Sequence, residues 1–132
     1  RFSPELGQRA AEIFGALTDG RYHQVLFDRS FALSAAPSGD SSARDIRLLS
    51  QGAADQLYLA TRLAICQMVL PQERHVPLIL DDALANFDAK RMAAALEWLL
   101  EESKQRQILL FTCHTREQEY LHSREGVNHL VL

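Results

Sequence analysis

The chain has 132 residues, with 14 Lys+Arg against 17 Asp+Glu and a formal net charge of −3. Its 47% hydrophobic and 23% charged residues suffice for one domain with a packed core and exclude a disordered chain. The slightly acidic balance excludes a strongly basic nucleic-acid module, and the missing secretory h-region and roughly 18-residue apolar run point to a soluble, cytoplasmic protein without a membrane partner.

Residues 4–18 predict a helix: Pro4 suits a first turn, and Leu6, Ala10, Ile13 and Leu17 recur at helical spacing before Asp19-Gly20 stops it. Two β-type runs follow, Tyr22–Phe27 and Phe31–Ser34, joined by Asp28-Arg29 and read as a hairpin. Pro37, Gly39, Asp40 and nearby serines make residues 35–48 an exposed loop, the segment expected to move. A long helix is predicted from Ser50 to about Leu70, with Leu59, Leu63, Cys66 and Leu70 on one face and Pro71 as its stop.

Val76–Leu80 is apolar without alternation, the pattern of a strand buried on both faces. The next helix runs from about Ala89 to Ser103, with Met92, Leu96, Leu99 and Leu100 inward and Glu97, Glu101 and Glu102 outward. Ile108–Thr112 reads as a second buried strand, residues 116–122 as a short helix and Val127–Val131 as a closing strand. This alternation implies an α/β fold with parallel pairing and right-handed crossovers. Cys66 and Cys113, each in an apolar stretch, read as reduced, buried small hydrophobes. His23, His75, His122 and His129 lack ligand spacing, so no zinc site is expected.

Chemistry concentrates at three places. Asp81 and Asp82 directly follow a buried strand, where open α/β sheets place ligands, and adjacent carboxylates suit a hard cation such as Mg²⁺. The plain alternative is capping, by either aspartate of the next turn and by Asp88 of the helix at Ala89. His114 lies just past the second strand, on the same expected edge, either as a functional group or as a hydrogen-bonded structural residue. Ser50-Gln51-Gly52 opens the long helix, as a phosphate cradle or as an ordinary serine cap. The only lysines, Lys90 and Lys104, follow Ala89 and Ser103, so a Walker A loop is excluded.

In order and spacing these motifs resemble the C-terminal half of an ABC-type (P-loop) ATPase head over roughly residues 45–118. The stretches LSQGAADQLYLATRLAI, PLILDDALANFD and LLFTCHTRE are most similar to the SMC/RecF/RecN branch, and within it to bacterial YhaN-like ATPases. The resemblance implies a mainly parallel sheet flanked by helices, with an N-terminal helix and hairpin, and ATP and Mg²⁺ as cofactors. By it, Ser50, Gln51 and Gly52 form the signature motif, which contacts the γ-phosphate of ATP on the opposite head. Asp81 is the Walker B metal ligand, and Asp82 stands where most relatives carry the water-polarising glutamate. Ala85, Asn86 and Asp88 belong to the D-loop, and His114 is the switch histidine.

Two positions depart from the family pattern: Ser-Gln-Gly replaces the commoner Ser-Gly-Gly, and Asp82 is one methylene shorter than glutamate, which slows hydrolysis if it must reach the same water. The expected partners are an N-terminal Walker A lobe of the same parent and a second head in a homodimer, with DNA as a further partner in repair or maintenance. Residues 1–18 are expected to be the re-entry of a coiled coil, and residues 1–132 a C-terminal lobe or split-head subunit, inactive in ATP hydrolysis alone. The alternatives are a Mg-dependent phosphodiesterase using Asp81, Asp82, Asp88 and His114, or a non-catalytic dimerisation module.

Overall fold

The computed structural model describes residues 4–27, 33–37, 44–45, 49–70 and 76–132. Helix α1 (Pro4–Leu17) buries Ala10, Ile13, Phe14 and Leu17, the spacing of one helical face. It ends as Asp19-Gly20 predicts. Asp19 takes a positive φ of 55°, Gly20 N–H donates to Gly15 O at 2.8 Å, and Asp19 N–H reaches Ala16 O at 3.4 Å. These are the two bonds of a Schellman closure.

Strand β1 (Tyr22–Phe27) pairs antiparallel with β2 (Leu33–Pro37), so the hairpin forms with its second strand later than expected. Residues 28–32, with the proposed turn, lie outside the described residues. β3 (Arg44–Asp45) adds to β2 through Ser34↔Asp45 and Ala35↔Arg44. The expected loop over 35–48 is thus corrected at both of these segments, where sheet pairing satisfies the backbone groups. Residues 38–43 and 46–48, the remainder of the segment expected to move, lie outside the described residues.

The second half comprises α2 (Gln51–Val69), β4 (Leu78–Asp81), α3 (Ala89–Glu102), β5 (Ile108–Phe111) and α4 (Thr115–Leu121). β4 and β5 are parallel, in the register Leu78↔Ile108 to Asp81↔Phe111. Ala53, Leu57, Ala60 and Leu63 of α2, Met92, Ala95, Leu96 and Leu99 of α3, and Leu78 and Leu80 of β4 close one core with α1.

Four expectations are corrected. β4 and β5 are not buried on both faces: Ile79 is 55% exposed and Phe111 41%, because alternate residues face opposite sides and the core covers one of them. No closing strand forms over Val127–Val131. The segment has no strand partner among the described residues, and Leu130, Val131 and Leu132 stay exposed. Glu102 does not point outward but is 9% exposed. It falls three residues after Leu99 and seven after Ala95, on the inner face, where Arg106 Nε lies 3.0 Å from its Oε2 and Gln67 donates to both carboxylate oxygens. The cysteines are not both buried: Cys66 is half-buried, and Cys113, past the end of β5, is exposed. Among the described residues no helix is long and apolar enough to cross a membrane.

Candidate functional site

Parallel pairing brings the ends of β4 and β5 to one edge. Asp81 is the last residue of β4, and Asp82 turns the chain with a φ of 54°, a left-handed conformation that aspartate tolerates better than most residues. Its N–H donates to Phe111 O at 2.7 Å, which locks the turn to the end of β5. Beyond β5, His114 N–H donates to Thr112 Oγ1 at 3.0 Å. The His114 ring makes no capping bond to α4, and its Nε2 lies 3.9 Å from Asp82 Oδ1. Both side chains are exposed. The edge shared by acids and imidazole, expected from the sequence, is present.

The turn after Asp82 is anchored by two buried side chains, Leu84 and Phe87. Arg116, from α4, donates through Nη2 to Leu84 O at 2.7 Å and Ala85 O at 3.3 Å, and through Nη1 to Phe87 O. One guanidinium thus gathers three carbonyls of the segment that carries Ala85 and the exposed Asn86. Asp88 caps α3, its Oδ1 accepting Arg91 N–H at 2.8 Å while Oδ2 accepts Arg91 Nη1. That backbone N–H, then the guanidinium, holds the Asp88 carboxyl below its ordinary value. The capping reading of Asp88 is therefore realised.

At the tip of α2, Ser50 Oγ accepts Ala53 N–H at 3.1 Å, so its capping role is realised as well. Gln51 Nε2 donates to Asp55 Oδ1 at 2.9 Å. Gly52 faces the Arg91 guanidinium. Arg91 Nε donates to Gln56 Oε1 at 3.1 Å, and buried Gln56 donates in turn to Leu17 O at 2.7 Å. The signature-like tip is thereby joined to Asp88, but among the described residues no hydrogen bond or ion pair joins it to Asp81, Asp82 or His114. Sequence reading missed the parts played by Arg91, Gln56 and Arg116, and it placed Cys113 in the core. Arg91 alone carried a local signal, three residues after an N-cap aspartate.

Solved structures share this fold. A solved structure from work on ATP-driven dimerization and DNA stimulated activation of SMC ATPases superposes with a TM-score of 0.72 at 20% identity, covering 96% of this chain and 82% of that one. The SMC head domain from Thermotoga maritima gives 0.70 at 18% identity, over 89% of this chain and 41% of that one. The Smc head of Pyrococcus furiosus with an extended coiled coil, bound to the C-terminal domain of ScpA, gives 0.63 at 18% identity, over 88% of this chain and 30% of that one. The chain has the α/β fold of the C-terminal lobe of an SMC-like, ABC-type ATPase head.

In sequence it is similar to YhaN, an uncharacterized protein of Bacillus subtilis (strain 168). The two are 36% identical over 129 residues, 97% of this chain but 13% of that protein. No protein-family model matches.

Proposed function

We propose that the chain serves as the C-terminal lobe of a dimerising, YhaN-like ATPase head, completed by a lobe that carries the Walker A loop. The observation that carries this reading is the approach of Asp82 to His114, 3.9 Å apart on the C-terminal edge of a parallel sheet. Asp81 and Asp82 offer exposed carboxylate oxygens, the donors that Mg²⁺ takes. Held by Asp81, Mg²⁺ would neutralise charge on the phosphate oxygens of ATP.

Asp81 is assigned to the ion and Asp82 to the attacking water, with a shorter reach than glutamate and therefore slower turnover. His114 keeps its ring free of capping and faces Asp82, so it can donate to a γ-phosphate oxygen while Asp82 accepts from water. Ser50 uses one lone pair for Ala53 N–H and retains its O–H for a phosphate held by the opposite head. Gln51 and Gly52 complete that helix tip, and Ala85 and Asn86 form the turn that meets the second head. Asp88 orders this turn from within the chain.

The exposed sheet face of Ile79, Leu109 and Phe111 supports a covering Walker A lobe. In this reading α1 is the coiled coil's re-entry, and the parent is a cytoplasmic protein of DNA repair or maintenance. Against the phosphodiesterase alternative stands Asp88, whose two carboxylate oxygens are both taken by Arg91.

The test is ATP turnover by a head reconstituted with a Walker A lobe. Asp82→Asn is expected to lower kcat by about 10²-fold or more, and Ser50→Arg to abolish ATP-driven head association in size-exclusion chromatography. Equal turnover by Asp82→Asn and the parent head refutes the role given to Asp82. Mg²⁺-dependent nuclease activity of this chain without nucleotide supports the phosphodiesterase instead.

A further inference from the structure

Cys113 has no part in the ATPase reading and no place in the core; it is exposed beside His114 at the sheet edge. One ligand atom each from Asp82, Cys113 and His114 lie within 4.8 Å of one another. The backbone is fastened at two of the three, Asp82 N–H to Phe111 O at 2.7 Å and His114 N–H to Thr112 Oγ1 at 3.0 Å. Donors around tetrahedral zinc, with bonds of about 2.0–2.3 Å, stand roughly 3.3–3.6 Å from one another. Asp82 Oδ1 and His114 Nε2 are already at 3.9 Å, and no pair in the set is more than 4.8 Å apart, a gap that rotation of exposed side chains can close.

A thiolate and an imidazole select zinc-class ions over Mg²⁺, which takes oxygen. Three protein donors also leave a fourth position for water or a ligand. We propose that Asp82, Cys113 and His114 form a binding site for a zinc-class divalent metal with one open coordination position. Because the ion occupies Asp82 and His114, zinc inhibits hydrolysis. This consequence rests on the ATPase reading, whereas the binding does not.

Cobalt(II) is the probe for the 132-residue chain. Titration is expected to produce a thiolate-to-cobalt charge-transfer band of one-to-one stoichiometry that zinc displaces. Cys113→Ser should abolish the band, and Asp82→Asn and His114→Ala should each weaken zinc binding by about tenfold or more. Cys66→Ala should retain the band, and circular dichroism checks that each variant folds. No band from the parent chain, or a band that survives Cys113→Ser, overturns the site. A normal band with zinc-insensitive turnover in the reconstituted head upholds the site and overturns the roles given to Asp82 and His114. No band together with turnover lost in Asp82→Asn overturns the site and upholds those roles.

Discussion

The Arg91 guanidinium fills the space that a side chain at Gly52 would need: a Cβ there would stand 2.5 Å from Cζ, 2.6 Å from Nε and 2.8 Å from Nη1. Arg91 is held in place by Gln56 and Asp88, and Gln56 is held by the last carbonyl of α1. The ends of three helices are therefore linked, α2 and α3 directly by this cation and α1 through Gln56. Glycine at this position is explained within the chain by packing, whatever binds the helix tip.

Gly52→Ala tests that packing. Alanine favours the helix by roughly 0.5–1 kcal/mol over glycine, but it displaces an arginine whose hydrogen bonds would be lost. In the parent chain the two effects oppose, and the substitution should be neutral or destabilising. In an Arg91→Ala background nothing is displaced, and the same substitution should stabilise by about 0.5–1 kcal/mol in urea unfolding. Equal effects in both backgrounds would show that Arg91 does not restrict the site.

Much of this was legible from sequence because the signals were local. Asp19-Gly20 stops α1, Ser50 and Asp88 cap their helices, and apolar spacing sets three helix faces, all within a few residues of one another. Placement of Asp82 beside His114 followed from parallel pairing, a topological rule. What failed depended on tertiary neighbours. Whether Ile79 and Phe111 are covered depends on what packs against the second sheet face, which β-strand composition does not encode. Val127–Val131 has the composition of a strand but no ladder partner among the described residues. Arg116 is 29 residues from Phe87 in sequence, beyond any local pattern.

Arg116→Ala removes the donor shared by the carbonyls of Leu84, Ala85 and Phe87. Charge-assisted bonds of this kind contribute about 1.5–3 kcal/mol each but share one side chain, so a loss of roughly 2–4 kcal/mol is expected in denaturant unfolding. Arg116→Lys should restore less than half, because an ammonium cannot span three carbonyls as a planar fork does. Hydrogen exchange should accelerate at residues 84–88 more than in α2. A uniform acceleration would count against a local clamp.

Glu117 is 2% exposed, and among the described residues neither of its carboxylate oxygens has a hydrogen-bond partner. A buried carboxylate without a donor is destabilising relative to an apolar side chain of similar volume. Glu117→Leu should therefore raise the unfolding midpoint at neutral pH, by a gain of about 1–3 kcal/mol. A lower midpoint would mean that the carboxylate is needed to hold α4 in place.

Two exposed carboxylates should make stability fall in acid. Arg91, through its backbone N–H and then its guanidinium, holds Asp88 below 3.8. Tyr120, and then Arg124, hold Glu97 below 4.5. A depressed native value means that the unfolded chain takes up the proton more readily. The stability is therefore complete above the ordinary carboxylate range and is lost as pH falls through the native values. Tyr120 acts in the opposite direction. Glu97 pushes its hydroxyl above 10.0, so its contribution is present below that value and disappears as pH rises through the raised one. Asp88→Asn and Glu97→Gln should each flatten the acid limb of a Tm–pH profile, and Tyr120→Phe should flatten the alkaline limb. Because Glu97 serves both limbs, Glu97→Gln should flatten the alkaline limb too, whereas Asp88→Asn should leave it unchanged. An alkaline limb unaltered by Glu97→Gln would break the proposed Glu97–Tyr120 linkage.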